Sequence, residues 1–84
     1  MAEPVIVEQR GSFLLIRRDD QFAVVERRAG HVYSLHDGIR EPYPDAPSGI
    51  AAAVGRHGWH DEAEARRTFE ELAQRGDQLA QRLR

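Results

Sequence analysis

An 84-residue chain holds one domain, with a core near the lower limit for independent stability. Its twelve arginines stand against 14 acids, a formal charge of −2, so no net basic field drives it onto nucleic acid or an anionic membrane. With no cysteine, disulfides, thiol nucleophiles and thiolate metal sites are excluded.

Lysine and asparagine are also absent, and alanine, glycine and arginine are frequent. That bias suggests a GC-rich bacterial genome, so the choice of arginine over lysine carries no functional weight. Met1-Ala2-Glu3-Pro4 puts an acid where a signal peptide needs basic residues. The apolar run Phe13–Ile16 is far short of a membrane-spanning helix. A soluble cytoplasmic protein is expected.

Residues 4–40 read as short strands and tight turns. Val5-Ile6-Val7 opens a first strand, bounded by Gly11-Ser12. Phe13–Arg18 forms a second, closed by the turn residues Asp19-Asp20. Phe22–Arg27 forms a third, ending at Ala29-Gly30, and His31–Leu35 a fourth. Asp37-Gly38 favours a two-residue hairpin with a brief return strand at Ile39-Arg40. Links this short make neighbouring strands antiparallel, which gives a meander.

The second and third strands are apolar on both faces: Phe13 and Leu15 oppose Leu14 and Ile16, and Phe22 and Val24 oppose Ala23 and Val25. Strands of this kind are covered on both sides. One long helix covers one side; a short helix, a curled sheet or another subunit must cover the other. Residues 41–48 carry Pro42, Pro44 and Pro47 around Tyr43 and read as a stiff connection. Ser48 is placed to cap a short helix over 49–54, stopped by Gly55.

A long helix follows over 61–83. Ala65, Phe69, Leu72, Gly76, Leu79 and Leu83 fall within an arc of roughly 80°, and Ala73 and Ala80 widen that stripe. Asp61 with Glu64 resembles a capping box, and Glu62 stands four residues before Arg66 in the favourable order. Gly76 either ends the helix or lets another backbone come close; because the stripe resumes in phase, one continuous helix is expected. Such a helix runs to roughly 36 Å, whereas short strands span about 20 Å. Its apolar end should therefore overhang the sheet. The whole is an α+β domain over 1–84: an antiparallel β-meander of four to five short strands, a short helix, and a long C-terminal helix on one sheet face.

For function the leading expectation is a small non-enzymatic protein-interaction module, homodimeric through Leu72, Gly76, Leu79, Ala80 and Leu83, because a stripe this regular suits pairing with its own copy. Tyr43 and Trp59 are candidate ligand or partner contacts, although Trp59 also suits a staple packed back on Ala65 or Phe69. The alternative is a nucleic-acid-binding accessory protein using Arg17, Arg18, Arg27 and Arg28 as a strip on the sheet. Asp19, Asp20 and Glu26 beside them cancel much of that field. Less favoured is a metal protein or enzyme using His57, His60 and Glu64, since two histidines in a loop fall short of a four-ligand site. His31, His36 and Asp37 supply no serine or cysteine nucleophile in a recognisable motif, and Asp37 is explained by its turn. No cofactor and no membrane partner are expected.

Overall fold

The computed structural model describes residues 3–33, 42–56 and 58–82, with the side chains of 79–82 outside the description. Among these residues five strands, β1 (Val5–Arg10), β2 (Phe13–Arg18), β3 (Gln21–Arg28), β4 (His31–Tyr33) and β5 (Pro42–Pro44), form one sheet in chain order, each antiparallel to the next. Two helices follow, α1 (Pro47–Val54) and α2 (Glu62–Arg82). This is the α+β meander that the turn spacing implies.

Two-residue turns at Gly11-Ser12, Asp19-Asp20 and Ala29-Gly30 set the pairing. Gly11, Asp19, Ala29 and Gly30 all have positive φ, the backbone that tight hairpins require. The register places Leu14 opposite Val25 and Ile16 opposite Ala23 on one face, and Leu15 opposite Val24 on the other. Both faces are buried, each under its own helix. Leu14, Ile16, Ala23, Val25 and Val32 pack with Ile50, Ala53 and Val54 of α1. Leu15, Phe22 and Val24 pack with Ala65 and Phe69 of α2. Of the covers that two-faced strands require, the short helix is the one used.

Residues 42–44 differ from expectation. They form an edge strand, not only a connection, with Tyr43 opposite Val32. Proline has no N–H to give to a ladder, so it suits the outermost strand, where a donor can be missing without breaking a pair. The first turn of α1 also differs. The helix starts at Pro47 with Ala46 at its N-cap and no side-chain cap, so Ser48 lies inside it. Proline's fixed φ organises that first position without a hydroxyl. The helix stops at Gly55 as expected, where φ is 70° and the N–H donates to the Ala51 carbonyl at 3.0 Å. The expected Asp37-Gly38 turn and Ile39-Arg40 strand lie outside the described residues, as do His36 and His57.

α2 begins where the sequence marks it: the Glu64 N–H donates to the Asp61 carboxylate at 2.8 Å, and Arg66 donates to Glu62 at 2.9 Å. Before it, His60 and Phe22 exchange two backbone hydrogen bonds of 2.8 Å, which stitch the approach to α2 onto β3 where β4 does not reach. The helix is continuous through Gly76. A methyl there would stand 3.7 Å from Phe13 Cε2, an ordinary contact with a side chain and not a clash with another backbone. Gly76→Ala should therefore gain about 0.5–1 kcal/mol from helix propensity alone. Urea unfolding would show it; a loss would mean the helix needs glycine's freedom at that point.

Candidate interaction surfaces

The buried line of α2 is Ala65, Phe69 and Ala73, an i, i+4 row; Leu72 and Gly76 sit half-buried on its flank. Of the five residues nominated for an interface, Leu72 and Gly76 thus lie at the margin between core and solvent. Leu79 and Ala80 stand on the helix backbone with their side chains outside the description, and Leu83 lies beyond the described residues. Phe13 lies beside Gly76, and Arg10 pairs with Asp77 at 3.2 Å. Since Arg10 and Phe13 flank the β1–β2 turn, these contacts mark where that strand pair ends. Residues 78–82 carry α2 onward by about 7 Å more.

The other apolar surface belongs to β1, which the helix stripe did not anticipate. All six of its residues are exposed, and among the described residues Val5, Ile6 and Val7 are the large hydrophobic residues that remain in solvent, at 55%, 43% and 41% exposure. Both helices lie further along: α1 packs on β3, β4 and β5, and α2 on β2 and β3. Among the described residues, charged side chains tie β1 to α2 through Arg10–Asp77 and through Glu8–Arg66 at 3.8 Å. Pairing with β2 slips between Ile6 and Glu8, so Val7 is an extra residue with no partner opposite it. A strand rich in valine and isoleucine was legible in the sequence; that its place is the uncovered edge was not.

The arginine doublets do not meet. Antiparallel pairing sets Arg17-Arg18 at one end of the β2–β3 ladder and Arg27-Arg28 beyond the other. That separation is about 20 Å along the strands. Within each doublet, alternation sends the side chains to opposite faces. Each arginine is also engaged. Arg17 Nε donates to the Asp19 carbonyl at 3.0 Å, and the Arg18 guanidinium lies 4.2 Å from the Trp59 ring centroid, a cation–π contact. Arg27 grips Asp45: Nη2 donates to Oδ1 at 3.1 Å, while Nε lies 2.9 Å from Oδ2 but points poorly for a hydrogen bond, so there the contact is chiefly one of charge. Arg28 pairs with Glu26 at 2.9 Å.

Glu26, read from the sequence as a charge beside the arginines, is buried instead. It lies opposite Phe13 and Tyr33 on the α2 face and is only 3% exposed. Its signal was its parity with Phe22 and Val24, which places it inward. Arg28, two residues on and on the same face, supplies the charge that lets a carboxylate stay there.

Trp59 and Tyr43 are each half-buried against the α1-side cluster, but at different ends of it: Trp59 lies by Arg18, and Tyr43 is opposite Val32. Trp59 is therefore not a staple on Ala65 or Phe69, which occupy the opposite face. The paired backbone of His60 gives this segment strand-like alternation, and that turns Trp59 toward α1. His60 Nδ1 lies 3.6 Å from Glu64 Oε2, one helical turn apart, and among the described residues no cluster of three or more metal-binding side chains forms. No helix among them is long and apolar enough to cross a membrane.

Compared with known protein families, with curated proteins and with solved structures, the chain matches none.

Proposed function

We propose that this protein is a non-enzymatic protein-interaction module that works as a homodimer. One observation supports it above the rest. The two sheet faces are satisfied by the chain's own helices, yet apolar surface is left over outside them on β1, and Leu72 stays half-buried at the margin of α2. A domain this small gains stability and specificity by covering such surface with a neighbour. On α2 the residues proposed for this are Leu72, Gly76, Leu79 and Ala80, with Leu83 next along the chain, and the helix runs past the end of the β1–β2 pair.

The expected solution mass is twice the chain's 9.5 kDa at micromolar concentration. Light scattering after size-exclusion chromatography measures it directly. A mass of one chain at every accessible concentration would remove the proposal. The double variant Leu79→Glu/Leu83→Glu asks whether α2 carries the contact, and circular dichroism confirms that it still folds.

A further inference from the structure

The two edges of the sheet are unlike. At β5, Pro42 and Pro44 lack the amide hydrogens that a new strand would need, and the strand has only 3 residues. At β1 the edge is open, and its apolar residues Val5, Ile6 and Val7 are in solvent. We infer that β1 receives the β1 strand of a second copy, antiparallel, about a two-fold axis between Ile6 and Val7, joining two sheets into one. This rests on the self-association reading above and places the contact on the edge instead of on α2.

An open strand edge specifies the shape of its occupant, an extended segment whose backbone continues the ladder. The sequence around the axis specifies which segment. Reversed against itself, Glu3–Arg10 sets Ile6 opposite Val7 of the second copy and Val7 opposite its Ile6, four apolar side chains at the centre. At both ends the same register sets Glu3 opposite Arg10. Opposite charges directly across a strand pair are favourable, and like charges are not. A parallel alignment would oppose Glu3 to Glu3 and Arg10 to Arg10. Arg10 already meets Asp77, but both side chains are well exposed, at 45% and 64%, and such a pair holds its arginine only weakly. Pro4 gives no N–H, so the new ladder is short and centred on Val5–Glu8, and Glu3 and Arg10 meet just beyond its ends. Val7, unpaired with β2, then finds its cross-strand neighbour in the second copy. Because the β5 edge is blocked by proline, assembly closes at two copies and does not propagate into a fibre.

The test is sedimentation equilibrium on the full chain and five variants, with circular dichroism as the check on folding. Wild type is expected to be a dimer, and Ile6→Lys/Val7→Lys a folded monomer. Glu3→Arg alone and Arg10→Glu alone should each raise the dimer dissociation constant about tenfold, while the two together restore it. Should the lysine variant unfold, the charge exchange decides by itself. A dimer that survives Ile6→Lys/Val7→Lys but is lost in Leu79→Glu/Leu83→Glu overturns the edge contact and leaves the homodimer standing. A charge exchange that restores nothing overturns the register. A wild-type monomer, including one whose edge takes up an extended peptide of another protein, overturns both.

Discussion

Phe69→Ala should remove about 3–5 kcal/mol from the unfolding free energy. Phe69 is fully buried at the centre of the α2-side cluster, among Leu15, Phe22, Val24 and Ala65, with Phe13 and Leu72 at the rim. It is the largest side chain that α2 contributes to the core, and its neighbours Ala65 and Ala73 are too small to fill the space it would leave. At the usual 0.05–0.15 kcal/mol per residue, a domain of this length has about 4–13 kcal/mol in total, so the loss is between about a quarter and all of it. Urea denaturation followed by far-ultraviolet circular dichroism should show a midpoint far below wild type, or no cooperative transition. Phe69→Leu, which keeps most of the volume, should cost less than about 2 kcal/mol. If the alanine variant matched wild type, α2 would not be packed on the sheet as described.

Gly49→Ala should destabilise by about 1–3 kcal/mol, although alanine is the better helix former. Gly49 lies in the first turn of α1, where an added Cβ would overlap the Pro44 carbonyl oxygen and come within 2.8 Å of its carbonyl carbon and 3.0 Å of its nitrogen. All three are backbone atoms, so no side chain can swing aside. Relief must come from moving α1 away from β5, which opens the cluster of Ile50, Ala53 and Val54 against the sheet. The sign is the discriminating result. Propensity alone predicts a gain of about 1 kcal/mol, and close backbone packing predicts a loss. Urea unfolding of Gly49→Ala beside Gly76→Ala puts both glycines in one assay, with opposite signs expected.

Strand order, the turns among the described residues and the start of α2 were legible because they depend on local chemistry. Asp-Asp and Gly-Ser turns, a capping aspartate and an apolar period act within a few residues of themselves. The two-faced pattern of β2 and β3 correctly demanded two covers. What the sequence left open was which surface each remaining residue joins. Pro42-Tyr43-Pro44 carries the composition of a connection, and only its place beside Val32 makes it a strand. Trp59 stands one residue from the His60 bridge, and that tertiary pairing, absent from the local pattern, turns it toward α1. Among the candidate sites, the arginine doublets look alike in sequence, but hairpin geometry separates them. The β1 edge was hidden for the opposite reason. Val5, Ile6 and Val7 read as an ordinary strand, and nothing local says that both helices pack elsewhere on the sheet.

The order of elements along the chain also has a consequence during synthesis. The β2–β3 hairpin is complete once Arg28 has left the ribosome, and hairpins close within about 1–10 μs. Its α2-side cover, Phe69, emerges 41 residues later (69 − 28), which takes about 2–8 s at normal elongation rates. For that interval Leu15, Phe22 and Val24 face water on a formed sheet with an open edge. The nascent chain thus passes through a stage in which it offers chaperones, or a neighbouring nascent chain, the surface that the finished protein keeps beneath its last helix.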